Sequence, residues 1–489
     1  MKSEDQSSAI NLVIGCGVLG FGFDIFGPYG EDSVLRPLVD LGHKYEQWTA
    51  PNNITYDIPD NVNLNAATGA SGNASVFATK EAFTSHFAAK AGVKGSYGAF
   101  SGEFEASFAN DTSSESEYTY GLYEQLVQSW SLTLQDWSSN KVVAAVLADP
   151  DFTDLPSKYT ADNQYLFFRF FAKYGTHFIS RVECGARMSY SIAVSKSYTT
   201  NTNDISVKLT AEFRGALADT SGNASADFKI ADQKWFDNRQ LSIRTVGGDT
   251  SLIASIAPSY NVNNNGPFEK WLTSAEKMPS PIEFQCTPVA QLFSGERAAA
   301  VAAAYTAYAN SRVYSESRSD GSTILLSGTS LLPAKLSAGI CLVVIDRMDL
   351  NVVFVKAYDA GWPPSTSLFT DACAVLDRYA GKSQYIIAVN LCEWRTDAGP
   401  TQQMVSLLEG CGAGSALDNW ISHLQSRPRL YMNYTLIGIG GIGRGAGFES
   451  FQVASNDSVN PAAAAVTGLL IPTSIDNGED QFQFDLIQA

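Results

Sequence analysis

Several features that mark common functional classes are scarce in this chain of 489 residues. It holds only four histidines, and its seven cysteines are scattered without a single CxxC pair. Zinc sites and disulfide frameworks need closely spaced ligands or paired cysteines, so neither is predicted. We therefore expect no metal and no cofactor.

Basic residues are in the minority. Lys and Arg number 33 against 50 Asp and Glu, which gives a net charge of −17. A phosphate backbone needs clustered positive charge, so we expect no nucleic-acid partner. The same balance disfavours electrostatic docking on anionic lipid, so a membrane contact would need specific binding or buried apolar surface.

Long apolar runs are missing as well. The best run, residues 9–23, is rich in glycine, is shorter than the roughly 20 residues of a transmembrane helix, and ends at Asp24. Residues 1–8 hold two acids and one base, unlike the positive start of a signal peptide. We interpret the run as a buried strand and expect a soluble protein that is released or secreted without a clear signal peptide.

Catalytic patterns are equally scarce, so we predict no enzyme. There are no paired carboxylates in a motif, no triad spacing and no phosphate loop. Residues 438–445 (GIGGIGRG) mimic a dinucleotide loop, but neither a helix nor a second βαβ unit is predicted after them, so we interpret them as a glycine-rich loop.

Ordinary periodicity predicts most other elements. Helices are predicted at 122–134, 164–173 and 298–309, and strands at 176–194 and 241–253. Beyond residue 337 the chain reads as a small mixed α/β domain, with a hairpin at 340–345 and 352–355, helices at 368–376 and 404–408, and strands at 385–389 and 434–439. The Ser- and Gly-rich residues 316–337 are predicted to be a linker.

The segment from residue 205 to residue 217 satisfies two periodicities. Apolar and polar residues alternate, as in a strand with one apolar face. Apolar residues also recur every fourth position, as on an amphipathic helix. The apolar set is Ile205, Val207, Leu209, Phe213 and Leu217, and the polar set includes Lys208, Glu212 and Arg214. This stretch can therefore be a helix in one state and a strand in another.

The alternation resumes after a turn at residues 219–223, with Phe228 and Ile230 on the apolar side. The two arms make a hairpin, and each has about the 9–11 residues with which a tilted strand crosses a bilayer. Ordinary half-exposed strands or helices are the alternative interpretation.

An earlier segment repeats this design around a turn at residues 95–98. Its apolar positions alternate with polar ones that include Glu103 and Glu105. The aromatic residues on the apolar side are Phe83, Phe87, Phe100, Phe104 and Phe108. A lone hairpin cannot enter lipid because its edge groups would stay unpaired, so the two hairpins would insert only in a closed barrel of many subunits. On this hypothesis the apolar sets face lipid, and Glu103, Glu105, Lys208, Glu212 and Arg214 face the water-filled lumen.

A motif between the two hairpin segments carries a family resemblance. Residues 174–185 (YGTHFISRVECG) resemble the signature of the membrane-attack-complex/perforin (MACPF) family. The matching residues are Tyr174, Gly175, Thr176, His177, Phe178 and Gly185, and Ala186 stands where the family has a second glycine. Gly247 and Gly248 look like the glycine pair at the bend of the family's last central strand. The resemblance covers about residues 8–310.

The resemblance implies an α+β fold, a bent and twisted four-stranded antiparallel sheet flanked by two helical clusters, at about 75–110 and 204–236. In the family these clusters unwind into transmembrane hairpins after ring assembly on a target cell membrane. The resemblance implies a pore-forming toxin or defence protein, a class that includes insecticidal proteins. Such a protein is expected to be a monomer when soluble and a ring-shaped homo-oligomer in the pore. A non-lytic MACPF adhesion or signalling protein is the alternative. The lone His177 is expected to be structural.

The C-terminal region resembles a different family. Residues 338–346, 355–362, 385–390 and 433–440 are similar to the interleukin-like EMT inducer (ILEI) domain, whose relatives include sugar-binding stem domains. We therefore expect residues 1–315 to be the MACPF domain, and residues 338–489 to be a targeting domain with a tail that binds a glycan or protein receptor.

Overall fold

The structure is a computed structural model, and it divides into two compact units, Met1–Ala303 and Ala304–Ala489. The residues that it describes are 10–66, 68–94, 98–108, 118–160, 163–218, 232–252, 266–309, 311–318, 321–326, 329–332, 336, 338–359, 367–394, 401–426, 431–454, 461–476 and 480–488.

The first unit is built around long antiparallel strands. Its strands are β1 (Phe21–Phe23), β2 (Val34–Pro37), β3 (Tyr45–Thr49), β4 (Thr55–Pro59), β5 (Val62–Asn65), β6 (Gly69–Phe77), β7 (Tyr118–Leu134), β8 (His177–Ser195), β9 (Arg239–Val246) and β10 (Ser280–Pro288). Its helices are α1 (Lys80–Ala91), α2 (Ser101–Ser107), α3 (Ala144–Leu147), α4 (Pro150–Thr153), α5 (Gln164–Tyr174), α6 (Thr202–Ala218), α7 (Asp232–Asp237) and α8 (Gly266–Ala275). Helix α9 (Gly295–Ala309) contains the boundary between the units.

Strands β7 and β8 form the centre of the sheet and pair along most of their length. At one end of the sheet, β6 pairs with β7 and β9 pairs with β8. At the other end these places are taken by β5 and β10. The sheet therefore has four antiparallel lanes, and both outer lanes change strand along its length.

The two faces of the central sheet carry different helices. On β8, the apolar parity of Met188, Tyr190, Ile192 and Val194 packs with α6, α7 and α8 in one buried cluster. On the neighbouring strand β7, Tyr123 belongs to the same apolar cluster. The next residue, Glu124, points to the opposite face of the sheet and contacts α1. Helices α1 and α2, here cluster one, therefore cover one face, and α6 to α8, here cluster two, cover the other.

The second unit contains two five-stranded antiparallel sheets, with orders β13-β12-β11-β19-β20 and β15-β14-β16-β17-β18. The strands are β11 (Arg312–Ser317), β12 (Thr323–Leu326), β13 (Thr329–Ser330), β14 (Gly339–Asp346), β15 (Val352–Asp359), β16 (Tyr385–Trp394), β17 (Met432–Ile439), β18 (Phe448–Val453), β19 (Ala464–Asp476) and β20 (Asp480–Gln488). Helices α10 (Ser367–Tyr379), α11 (Gln402–Gly410) and α12 (Ser415–Ser426) pack on the second sheet through an apolar core.

A buried polar seam joins the two sheets of this unit. The Ser315 hydroxyl donates to Asn390 Oδ1 at 2.8 Å and accepts from the Thr435 hydroxyl at 2.9 Å. All three residues are fully buried. A satisfied buried network costs little and fixes how two sheets pair, because its partners must meet in one arrangement.

The structure differs from the sequence-based predictions at several elements. Residues 122–134 were predicted to be helical but lie in β7, whose two faces are both covered, so no alternation marks it as a strand. The segment predicted as a linker, 316–337, contains β12 and β13 and the end of β11. Of cluster one as predicted, residues 75–77 belong to β6. Of residues 10–23, the described part of the run 9–23, only Phe21–Phe23 form a strand.

Candidate functional site: a bent sheet under two helical clusters

The four lanes of the central sheet are interrupted at one level. Here β7 carries an irregularity between Gln128 and Trp130. Gly185 of β8 lies opposite Gln128 on one side and Ser280 on the other. Strand β9 ends at Val246, one residue before the glycine pair. An extra residue and a break in pairing at the same level bend a sheet.

Three glycines at this level have no room for a side chain. A Cβ on Gly185, whose φ is +157°, would lie 1.9 Å from the Val127 carbonyl oxygen. One on Gly247, at φ +69°, would lie 2.2 Å from the Gly185 carbonyl oxygen. Gly248, at φ +65°, would bring its Cβ 2.8 Å from Trp271 Nε1. The backbones at the bend therefore approach as closely as only glycine permits.

Helix α8 is attached to the same level. The Trp271 indole N–H donates to the Gly247 carbonyl at 3.1 Å, and the Asp249 amide donates to the Ser274 hydroxyl at 2.8 Å. Trp271 is fully buried. Sequence reasoning did not single out Trp271, and nothing in its spacing separates it from an ordinary core tryptophan.

The signature residues lie where α5 passes into β8. The Tyr174 hydroxyl donates to Asp149 at 2.5 Å. Gly175 has φ +80°, and a Cβ there would lie 2.5 Å from the Phe23 carbonyl oxygen. A Cβ on Gly22 would lie 1.8 Å from the Tyr174 carbonyl oxygen. Strand β1 therefore lies in direct backbone contact with this junction, and it pairs antiparallel with the first residues of β8.

His177 is buried within this junction, next to the equally buried Phe178. Its Nδ1 lies 3.0 Å from the Thr176 hydroxyl. Burial lowers the pKa of His177 to about 3, so the ring is neutral at physiological pH. Within the described part of the chain, no group of three or more potential ligands could hold a metal ion.

Cluster one buries all five of its predicted lipid-facing phenylalanines. The centre of the Phe83 ring lies 5.3 Å from that of Phe87, 5.6 Å from that of Phe104 and 5.1 Å from that of Phe108. Phe100 packs 6.2 Å from Phe23 of β1. In this state these rings form the inside of the cluster and its contact with the sheet.

Charged residues attach α1 to the sheet. Glu124 of β7 accepts from Lys90 Nζ at 2.8 Å and contacts His86 Nε2 at 3.1 Å. Lys90 also donates to Glu283 of β10 at 2.8 Å. Burial alone would raise the pKa of Glu124, but the hydrogen bond from His86 and the charge of Lys90 outweigh it and hold this pKa at about 2. Glu124 therefore stays ionised over the whole physiological range.

Helix α2 has its own buried ion pair. Glu103, predicted to face the lumen, is only 2% exposed and accepts from Arg244 Nη1 of β9 at 2.9 Å with both oxygens. Sequence reasoning missed Arg244, Glu124 and Glu283 as partners. A signal was present in β8, where Ser189 and Ser191 alternate with apolar residues. These serines indicate that the face of the sheet shared with Arg244 is polar.

Cluster two is held differently. Ile205 and Leu209 of α6 are fully buried against the apolar face of β8, whereas Val207 is 67% exposed. Lys208 pairs within its own helix with Asp204 at 2.9 Å and donates to the Tyr198 hydroxyl at 2.7 Å. Apolar contacts and local pairs therefore hold α6.

Some predicted residues are described only in part or not at all. Phe228, Ile230 and the turn at 219–223 lie outside the described residues, as do residues 95–97 of the other turn. The description reaches only the backbone of Glu105, Glu212, Phe213, Arg214 and Leu217, which are helical. In the part of the chain that the structure covers, no helix has the length and apolarity to cross a membrane.

The glycine-rich residues 438–445 are a structural loop. Gly438 and Ile439 are the last residues of β17, and residues 440–445 lie between β17 and β18, so a strand and not a helix follows the motif. The Gly445 amide donates to the Ala413 carbonyl at 3.0 Å, and the Gly447 amide to the Gly412 carbonyl at 2.9 Å. The loop therefore packs backbone to backbone against residues 412 and 413, and a dinucleotide-binding turn is excluded.

A family model and the structure of GNIP1Aa agree with this geometry. The family model described as MACPF, the MAC/Perforin domain, matches residues 13–318. The crystal structure of GNIP1Aa from Chromobacterium piscinae is similar over 80% of this chain and 77% of that chain, with 14% sequence identity and a TM-score of 0.52. A MAC/Perforin-domain protein from Bacteroides thetaiotaomicron aligns over 58% of this chain and 59% of that chain, with 13% identity and a TM-score of 0.40.

The predicted fold class is thereby confirmed, while the resemblance of the C-terminal region stays a prediction because the family model ends at residue 318. The match to this model supports membership of a pore-forming family. Since its model matches more than half of the sequence, this chain belongs to the membrane-attack-complex/perforin (MACPF) family.

Proposed function

We propose that this protein is a pore-forming toxin or defence protein. It binds a target cell membrane, assembles into a ring and inserts two β-hairpins per subunit to form a transmembrane β-barrel. The proposal is supported by where the helical clusters lie along the chain and by the register of the sheet beneath them.

Both helical segments are connections between neighbouring antiparallel strands. The 40 residues of 78–117 join β6 to β7, and the 43 residues of 196–238 join β8 to β9. An antiparallel pair can lengthen if its connection becomes extended. Each arm needs about 9–11 residues to cross a bilayer, so both connections are long enough for a hairpin and a turn.

The pairing register at the end of the sheet that contains β6 and β9 determines which residues share a face. The pairs are Phe77 with Tyr120, Tyr118 with Ser195, and Val194 with Arg239. Directly opposite residues of antiparallel strands have their side chains on the same face. Odd residues of β6 and β8 therefore share one face with even residues of β7 and β9.

If the four strands were extended into the hairpin segments without a bulge, the same odd and even positions would stay on the same face. The predicted lipid-facing residues are odd after β6 (Phe83, Phe87), even before β7 (Phe100, Phe104, Phe108), odd after β8 (Ile205, Val207, Leu209) and even before β9 (Phe228, Ile230). All four arms thus direct their apolar residues to the same face. A single barrel needs this agreement, because one face of a barrel meets lipid throughout. It is the observation that carries the proposal.

The polar parity completes the argument. On the same extension, Glu103, Glu105, Lys208, Glu212 and Arg214 all lie on the other face. Charged side chains are costly in lipid but are tolerated in a water-filled lumen. The ion pair of Glu103 with Arg244 would have to open before hairpin one reaches this arrangement.

The experiment is dye release from vesicles prepared from insect gut, mammalian and bacterial membranes, with negative-stain images of the same samples. Dye release together with ring-shaped particles on at least one membrane supports the proposal. The membrane that is permeabilised identifies the target, and release from insect gut vesicles would indicate an insecticidal protein. Binding without release or rings on every membrane would favour an adhesion or signalling protein instead.

A further inference from the structure

One loop of the first unit lies between cluster one and the sheet. Residues 25–29, here the clasp, begin one residue after β1, with Asp24 between them. The Phe100 amide donates to the Ile25 carbonyl at 2.5 Å, and the Gly102 amide donates to the Phe26 carbonyl at 2.8 Å. The clasp therefore satisfies amides at the start of α2 that a helix cannot satisfy by itself.

The fit of the clasp against α2 leaves no spare volume. A Cβ on Gly102 would lie 2.7 Å from the Gly27 carbonyl carbon and 2.9 Å from the Pro28 nitrogen. Phe100, which precedes the helix, has the left-handed φ of +59°, an unfavourable conformation for a phenylalanine. The packed clasp holds this turn in place.

Tyr29 connects the clasp to the sheet. Its hydroxyl donates to the Phe284 carbonyl at 3.1 Å and accepts from the Phe284 amide at 2.9 Å. Arg187 of β8 donates to the Tyr29 carbonyl at 2.8 Å, and its guanidinium carbon lies 5.2 Å from the centre of the ring. The Tyr29 ring is fully buried and packs 5.4 Å from both Phe87 and Phe100 of cluster one.

Glu103 closes this arrangement. Its carboxylate accepts from the Tyr29 amide at 2.9 Å as well as from Arg244. One buried carboxylate of α2 is thus bound to the clasp and to β9 at once. Removing Arg244 would leave the buried Glu103 carboxylate without a cation, which is strongly unfavourable.

We propose that the clasp is an autoinhibitory contact that holds hairpin one on the sheet, and that it opens in a step separate from the release of hairpin two. The inference rests on the proposed function, since it concerns the order in which the hairpins leave. Among the described residues, the clasp and the buried ion pairs contact cluster one, while α6 is held by apolar packing and by Lys208, which pairs with Asp204 of the same helix and donates to the Tyr198 hydroxyl.

The first test needs no membrane. Hydrogen exchange of the soluble full-length protein is compared for the wild type, Glu103→Gln, Arg244→Lys and the control Asp204→Asn, which breaks the pair within α6. We expect Glu103→Gln and Arg244→Lys to accelerate exchange about tenfold or more in α2 and residues 25–29 and to leave α6 unchanged. Unchanged exchange in α2, or equal acceleration in α6, would overturn the clasp.

The second test follows insertion. A polarity-sensitive fluorophore is placed on Ser85→Cys in hairpin one or Val207→Cys in hairpin two, which is selective because all seven native cysteines are buried. Adding Arg244→Lys should speed the Ser85 signal about tenfold and leave the Val207 signal unchanged. Equal acceleration of both signals would overturn separate release. A wild type without either signal would contradict the proposed function, while the exchange result would still decide whether the clasp holds α2.

Discussion

At the scale of single residues, the bend depends on the absence of side chains. Gly185 and Gly247 lie on neighbouring lanes, and a Cβ on Gly247 would meet the Gly185 carbonyl. The sequence predicted Gly247 and Gly248 from their resemblance to a family motif. The contact between the two strands could not be predicted, because it joins residues that are 62 apart in sequence.

We expect Gly185→Ala to destabilise the first unit by more than about 2 kcal/mol, because its Cβ would overlap the Val127 carbonyl. Thermal or denaturant unfolding measures the loss. Gly17→Ala is the matched control, since a Cβ at this exposed glycine meets nothing within 4 Å. Equal stability of the two variants would contradict the account of the bend.

Asp24, immediately before the clasp, gives the protein a pH dependence. Its carboxylate accepts from the Phe26 amide at 3.0 Å. Desolvation nevertheless raises the pKa of Asp24 to about 6, against about 3.9 in an unfolded chain. Between these values the folded state binds the proton more tightly, so the contribution of Asp24 to stability falls as pH rises from about 4 to above 6.

Asp24→Asn keeps an acceptor for the amide and removes the charge. We expect it to stabilise the protein at pH 7.5 by up to about 3 kcal/mol and to have little effect at pH 4, where the wild-type carboxyl is protonated. Unfolding free energies at both pH values measure this. A variant that is destabilised more at pH 7.5 than at pH 4 would show that the ionised carboxylate is favourable in the folded state.

At the scale of elements, the segment from residue 205 to residue 217 fits both the helical and the strand periodicity. In the structure it is helical, as part of α6. The four-residue spacing of Ile205 and Leu209 places both on the sheet, which stabilises α6. Strand β8 was predicted correctly because only one parity is apolar. Strand β7 was predicted wrongly, because Tyr123 and Glu124 are both buried and periodicity alone does not separate such a strand from a helix.

The structure also identifies the position at which the strand alternative is best tested. An aspartate at Leu209 or Phe104 would disrupt the soluble fold, since both side chains are buried. Val207 shares their predicted lipid face but is 67% exposed. A charge at Val207 therefore tests the membrane state without burying the charge in the soluble state.

We expect Val207→Asp to fold normally and to lower dye release at least tenfold, because a lipid-facing charge costs a few kcal/mol per subunit. Ser206→Asp, one residue earlier on the predicted lumen face, is the control and should retain release. Circular dichroism and thermal unfolding establish that both variants fold. Full release by Val207→Asp would contradict the assignment of faces.

At the scale of the whole molecule, the MACPF domain was predictable because its signature is local in sequence. The boundary was less predictable. Residues 316–337 have the composition of a linker, but β11 and β12 belong to a sheet whose other strands include β19, about 150 residues later. Local composition does not reveal such distant pairing, and the last residues of the chain gave no signal for β19 and β20.

This pairing changes how the proposed targeting role of the C-terminal unit should be tested. A cut at residue 338 would remove β19 and leave β11 with only one of its two neighbouring strands, β12. A variant lacking residues 310–489 avoids this. We expect it to lose binding to susceptible cells, measured by flow cytometry, while residues 1–309 retain cooperative unfolding. Undiminished binding by a folded 1–309 fragment would refute the targeting role.

The central claim is that helical residues of the soluble form become strands with one face in lipid. The most direct measurement uses a polarity-sensitive fluorophore on single cysteines at Ser85, Ala88, Ser206 and Val207, followed on membranes that the protein permeabilises. We predict a lipid-like signal at Ser85 and Val207 and an aqueous signal at Ala88 and Ser206, because the sheet register directs odd residues of both arms to lipid. The same environment at Ser206 and Val207, or an aqueous signal at all four positions, would contradict the account.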